Sequence, residues 1–263
     1  NSGLIFSQFF YGLTQHKLVN KVQVKINDFV EIMSAGYKSA YDSVSNPRVG
    51  TILTVMDEWV NGYREIIKNA KSNLNDGFNS SIDKANVALR ETMNQLEVLK
   101  KNNVVDAGAQ GFVNFIVGMQ KYLTGSQEQR DKIIADHQLD NSGLQVNHEF
   151  EDITEIPDFR FCFESVIKTS DSDALVAYQT KLENLGDSIV IGKGPNMLKI
   201  HIHTNEPETV TTMLTQVGDI IYQKIDDMLM QYTIANQKNR TRVAIVADTM
   251  ADIPEDVILK YNI

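Results

Sequence analysis

Cysteine, basic charge and long apolar runs are what this sequence has little of. One cysteine, Cys162, in 263 residues excludes an internal disulfide, so the fold must be held by its core. Lys and Arg number 25 against 34 Asp and Glu, a formal charge of -9, which repels nucleic acid and anionic membrane surfaces. The longest basic cluster, Lys238 to Arg242 in QKNRTR, reads as a solvated linker, and no nucleic-acid partner is expected. No signal-peptide pattern or long apolar run is present, and a cytoplasmic protein is the simplest expectation.

The length suffices for one large domain or two ordinary ones without staples. The chain opens at Asn1 without Met, straight into an amphipathic segment carrying Leu4, Ile5, Phe9 and Leu13. It closes at Ile263 directly after a strand, a turn and a helix. Such ends read as those of a fragment.

Apolar residues at spacings of three and four predict helices near 2–16, 26–45, 50–70, 82–103, 108–123 and 126–137. The clearest stripe is Ile52, Met56, Trp59, Tyr63 and Ile67, which is read as core packing. Breaks fall at SNPRVG (45–50), KSNLNDG (71–77), VVDAGAQG (104–111) and LTGSQ (123–127). Six helices with short connections make a bundle over 1–137.

Residues 138–158 are polar, acidic and without helical period, and are read as a linker. Beyond them the period becomes that of strands, in a middle domain over 159–230. The order is FRFCFESVIK (159–168), a helix over 171–184, DSIVIG (187–192), MLKIHIHT (197–204), a helix over 206–216 and DIIYQKI (219–225). This β-α-β-β-α-β order predicts a ferredoxin-like fold. A second linker is read at 231–241. From 242 to 263, the strand VAIVAD (243–248) and a following helix look like the start of an α/β domain.

Residues two apart on a strand share a face, so His201 and His203 point together with Lys199, opposite Leu198, Ile200 and Ile202. The apolar set must face the helices, which puts the histidines on the open face of the sheet. In a βαββαβ sheet the start of the first strand lies beside the end of the third. That start carries Cys162, on the face opposite Phe161, Phe163 and Ile167 and shared with Glu164. A thiol and two imidazoles suit Zn²⁺, and three ligands leave a fourth position for water, substrate or Glu164. Spacing alone leaves open that the histidines are surface residues and Cys162 a small filler. His16, His137 and His148 stand alone.

Two helix starts suit an anion. Asn1, Ser2 and Gly3 precede or open the first helix, and Asp106 precedes Ala107, Gly108 and Gly111. Ser and Asp are equally ordinary N-caps, so residue type does not choose between the roles.

NSGLIFSQFFYG, GTILTV (50–55) and ETMNQLEVLKKNNVVDAGAQGF (91–112) resemble the ATP-binding DhaL-type domain of dihydroxyacetone kinases, in the form found in the FakA component of fatty acid kinases. LGDSIVIG, LKIHIHTNEP and KIDDM resemble that component's middle domain. VAIVADTMADIP is similar to the opening of a DegV-type fatty-acid-binding domain. The resemblance implies a multi-domain α plus α+β protein: a truncated DhaL-like bundle, a ferredoxin-like middle domain and the first β-α of a DegV-like domain.

It further implies that Asn1, Ser2 and Gly3 lie at the nucleotide phosphates, that Thr51, Asp106, Ala107 and Gly108 line the nucleotide pocket, and that Cys162, His201 and His203 hold a metal, zinc by ligand type. The implied activity is ATP-dependent phosphorylation of a fatty acid carboxylate to an acyl phosphate. The implied company is a DegV-type lipid-binding domain in cis or trans, and a homodimer. The family's Asp-rich loop for Mg²⁺ would precede Asn1, which implies that this stretch alone binds ATP weakly and does not turn over. A polyol kinase, or a non-catalytic regulatory or scaffold protein, remains as the alternative.

Overall fold

The computed structural model describes residues 2–68, 74–131, 156–171, 173–175, 178–236, 243, 245–261 and 263. Asn1, His137, His148, most of the linker read at 138–158, and the basic cluster at 238–242 lie outside them. The chain divides into two compact units, residues 1–145 with 190–199 and residues 146–189 with 200–263.

The first unit is helical: α1 (Ser2–Gln15), α2 (Ile26–Asp42), α3 (Ile52–Ile66), α4 (Leu74–Gln95), α5 (Glu97–Asn102) and α6 (Ala107–Thr124). The stripe on α3 is its organising feature. Met56, Trp59 and Tyr63 are wholly buried and Ile52 nearly so, while Ile67 packs at the margin. α3 lies against α2, α4 and α6, and α1 lies against α2. Phe112 of α6 meets Trp59 edge-on at 5.5 Å between ring centroids, and Phe9 of α1 meets it at 6.2 Å. Such tilted pairs are the geometry aromatic quadrupoles favour.

Helix boundaries differ from the periodicity in two places. The break expected at 71–77 has closed by Leu74, so Gly77 sits inside α4. A side chain there would meet the Tyr63 ring at 2.8 Å, so glycine serves packing rather than a turn. Conversely, the single helix expected over 82–103 is two, because Leu96 is extended (φ -118, ψ 124) and left-handed Asn103 (φ 53) ends α5. The helix expected at 126–137 is present over 127–131, and its remainder lies outside the described residues.

In the second unit the order is β1 (Phe161–Lys168), α7 (Gln179–Leu185), β2 (Gly186–Gly194), β3 (Met197–Thr204), α8 (Pro207–Thr215), β4 (Asp219–Asp227) and α9 (Met228–Ala235). The strands lie in the order β2-β3-β1-β4. That is the ferredoxin-like order: β3 and β1 fill the gaps left by the two split βαβ crossovers. β1 and β4 are antiparallel, pairing Phe161 with Asp227 and Cys162 with Asp226, with an irregularity after Val166. Pro195 and left-handed Asn196 (φ 53) turn β2 into β3. The tip of this hairpin, 190–199, belongs to the helical unit. There Ile191 N–H donates to Ser43 O at 2.8 Å, and Gln8 Nε2 donates to Lys193 O at 3.0 Å.

The apolar face is as expected: Leu198, Ile200, Ile202, Phe163 and Ile167 are buried against the helices. Phe161 is only half-buried, lying under the Arg160 guanidinium at 5.0 Å. The opposite face is not open at its centre, because His201 is only 7% exposed. The helix expected over 171–184 is confined to α7 at the end of that range. The linker read at 231–241 begins inside α9, which Asp227 caps by accepting from Met230 N–H at 2.9 Å.

The strand expected at 243–248 does not form among the described residues. Residues 245–248 have no strand assignment and are followed by a 3-10 turn, Thr249–Ala251, and α10 (Glu255–Tyr261). An apolar run becomes a strand only when another strand completes its ladder.

Candidate functional site

The start of β1 is pinned on three sides. Arg160 N–H donates to Asn205 Oδ1 at 2.7 Å, Arg160 O accepts from Met228 N–H at 2.8 Å, and the Arg160 guanidinium donates to Asp227 Oδ2 at 2.6 and 2.8 Å. Cys162, two residues on, is thereby held facing β3. Its Sγ lies 3.8 Å from His201 Nδ1, and the donor atoms of Cys162, His201 and His203 all lie within 4.8 Å of one another. Ligands at zinc's bond lengths and a tetrahedral angle are separated by ~3.6 Å, so the sulfur and imidazole already stand near the spacing an ion would require. The three residues expected to converge do so.

Their electrostatics suit a cation. Burial, helped by the charge His203 would carry, pushes His201 down to about 4, and burial likewise lowers His203. Both rings are therefore neutral at neutral pH, with a lone pair to offer. Burial raises the Cys162 thiol, and the neighbouring Asp226 and Glu164 carboxylates raise it further. A thiolate among carboxylates is unfavourable until a dication compensates it, and a bound metal ion reverses the local preference. Glu164 Oε1 stands 3.4 Å from His201 Nδ1, within reach of a fourth position.

Asp187 also faces this cluster, although strand alternation gives no sign of it. Its Oδ1 lies 3.4 Å from His203 Nδ1.

At one end of the helical bundle the other expected residues assemble. A Cβ on Gly108 would lie 2.5 Å from Ser2 Cβ and 3.3 Å from Asp106 Oδ1, so the first turns of α1 and α6 touch. Asp106 is the N-cap of α6, accepting from Ala109 N–H at 2.7 Å, and its own N–H donates to buried Thr92 at 3.0 Å. Thr51 is the N-cap residue of α3 but makes no side-chain cap, donating instead to Arg48 O at 2.9 Å. Gly50 beside it packs on Gln95, less than one turn beyond Thr92 on α4. Ser2, Asp106, Ala107 and Gly108 thus form one cluster, with Thr51 tied to it through the end of α4. Asn1 lies outside the described residues. Thr92 went unread because a buried threonine inside a helix carries no sequence signal.

Two family models match in chain order: the DAK2 domain over residues 1–121, and the middle domain of FakA-like fatty acid kinase proteins over 158–235. The chain belongs to the FakA-like fatty acid kinase family. Its helical unit is accordingly kinase-like, of the dihydroxyacetone kinase type.

Relatives agree along the whole chain. A Mycoplasma genitalium uncharacterized protein is 30% identical over 265 residues, covering 94% of this chain and 46% of the relative. Protein YloV of Bacillus subtilis is 27% identical over 247 residues, covering 91% and 44%. A Staphylococcus epidermidis uncharacterized protein is 25% identical over 268 residues, covering 100% and 48%. The chain spans about half the length of these curated relatives. Among the described residues, no helix of this FakA-like chain is long and apolar enough to cross a membrane.

Proposed function

We propose that this chain is the nucleotide-binding and metal-binding part of an ATP-dependent kinase that phosphorylates a fatty acid carboxylate. The observation that carries the nucleotide half is the meeting of the first turns of α1 and α6 at Ser2 and Gly108. Free N–H groups and the positive dipole end of a helix attract phosphate, and two such ends side by side suit a polyphosphate. Ser2 adds a hydroxyl donor, and Gly108 keeps the backbone approachable. Mg²⁺ would neutralise the phosphate charge during transfer.

In the reaction, a carboxylate oxygen of the fatty acid forms a bond to the γ-phosphorus while the bond from that phosphorus to the bridging oxygen of ADP breaks. The products are an acyl phosphate and ADP. Cys162, His201 and His203 would hold zinc in the middle domain, where the ion supplies Lewis acidity or structural support. A DegV-type lipid-binding domain, continuing from the 242–263 segment or on a separate chain, would present the fatty acid.

The test uses the full-length protein with Mg·ATP and a fatty acid, trapping acyl phosphate as the hydroxamate with hydroxylamine. Hydroxamate that depends on both ATP and fatty acid is expected. Phosphorylation of dihydroxyacetone in preference to the lipid would replace this reading with a polyol kinase. No Mg·ATP binding at millimolar concentration would replace it with a non-catalytic scaffold.

A further inference from the structure

We infer that Asp187 is a positioning residue for His203: its carboxylate accepts the His203 Nδ1 proton, fixing the ring's tautomer and leaving Nε2 as the nitrogen presented to a metal. The inference rests on the zinc reading of the Cys162, His201 and His203 cluster for its purpose, but on the geometry of β2 and β3 for its content.

Three features of β2 converge on this contact. Gly186 lies against the backbone of β3, where any Cβ would stand 1.8 Å from His203 O. Only glycine permits that approach, which brings the next residue alongside the histidine. Ser188, on the other side of Asp187, is left-handed (φ 54) within a strand. A non-glycine residue in that region is strained by about 1–2 kcal/mol. The usual alternation then fails, since Ile189 and Val190 are both buried in succession, the disturbance that an extra residue in a strand produces.

The consequence is a change of face. Counting back from the Pro195–Asn196 turn with Gly194 opposite Met197 sets Asp187 opposite Thr204, which is buried with Ile200 and Ile202. The disturbance at Ser188 turns Asp187 to the histidine face instead.

The far end is fixed too. Thr204 Oγ1 donates to Leu185 O at 2.7 Å and accepts from Glu206 N–H at 3.0 Å, tying the end of β3 to the start of β2. Asp187 Oδ1 is buried and has no hydrogen-bond partner among the described residues, and His203 Nδ1 at 3.4 Å is its ion-pair neighbour. A carboxylate behind a ligating imidazole orients the ring and raises its basicity, and losing such a partner typically weakens metal binding by about 10–100-fold.

The experiment compares the full chain with Asp187→Ala, Asp187→Asn and Cys162→Ser. Nitrogen-15 NMR of the imidazoles in metal-free protein reads the His203 tautomer, and competition with a chromophoric chelator reads the zinc affinity. Wild type should carry the proton on Nδ1. Asp187→Ala should lose that preference and bind zinc about 10–100-fold more weakly. Asp187→Asn, which keeps an acceptor oxygen, should retain more of both. Asp187 is partly exposed on an edge strand, so these variants are expected to fold, and a thermal melt checks it.

His203 protonated on Nε2 in wild type, or a tautomer and zinc affinity unchanged in Asp187→Ala, would overturn the inference. Absence of zinc binding in wild type would instead remove the zinc reading. The tautomer in the metal-free protein would then still decide what Asp187 does to His203.

Discussion

Gly108 presses its bare Cα against Ser2: the position a Cβ would take is 2.6 Å from the serine hydroxyl oxygen. The contact joins the first turns of α1 and α6, and the proposed phosphate site depends on it. Alanine inside a helix normally stabilises by about 1 kcal/mol relative to glycine. Here that gain is opposed by displacement of Ser2. Gly108→Ala in the full-length protein should therefore melt no higher than wild type and bind Mg·ATP about tenfold more weakly, a loss of ~1.4 kcal/mol. Unchanged affinity by calorimetry would remove this end of the bundle from the nucleotide site.

Asp106 has a structural task whatever its ligand. Its carboxylate caps α6 through Ala109 N–H at 2.7 Å, and removing such a cap typically costs about 1 kcal/mol. Asp106→Ala should lower the melting temperature, while Asp106→Asn, also a good cap, should nearly restore it. If the asparagine variant melts like wild type yet still binds Mg·ATP poorly, the charge serves more than capping.

Protein purified without chelator should carry near-stoichiometric zinc by elemental analysis. Cys162→Ser and His201→Ala should each lose it, because the donors of both residues belong to one cluster within 4.8 Å. Full zinc in both variants would mean that the ion sits elsewhere.

The metal-free protein should lose stability in acid through His201. Its folded value, about 4, lies below the ordinary 6.5. Between those values the unfolded chain binds the extra proton and the folded chain does not, so stability rises with pH across the window. The contribution is full above pH 6.5 and disappears as pH falls toward 4. Urea midpoints measured at pH 7, 5.5 and 4.5 should decrease in that order, more steeply for wild type than for His201→Gln. Equal slopes would assign the acid sensitivity to other groups.

Met56 lies wholly buried in the α3 stripe. Truncation to alanine should destabilise the helical unit by about 2–5 kcal/mol, read from chemical denaturation. A loss under 1 kcal/mol would show that the site collapses freely.

Periodicity exposed the parts of the fold in which each residue answers to its near neighbours. The α3 stripe repeats on one helix face, and Leu198, Ile200 and Ile202 alternate along one strand, so burial follows from local geometry. The metal cluster was legible by the same logic extended once. Strand alternation gave a face to Cys162, His201 and His203, and the β-α-β-β-α-β order brought β1 beside β3. Where local signals misled, a distant group was responsible. Gly77 looked like a turn because the Tyr63 ring that requires a glycine belongs to another helix. The run at 243–248 looked like a strand because nothing local reveals that its ladder has no partner among the described residues.

By itself, then, the sequence determined a helical unit followed by a ferredoxin-like one, their inward faces, and a thiol with two imidazoles on one side of a sheet. Each follows from a repeat of 3.6 or 2 residues or from the order of elements. Tertiary structure alone decided that Ser2 abuts Gly108, that Thr92 holds Asp106, and that Asp187 turns to His203. Those contacts join residues with no periodic relation. The last also needs a left-handed serine and a glycine pressed against a neighbouring carbonyl, a departure from strand alternation that only the packed sheet reveals.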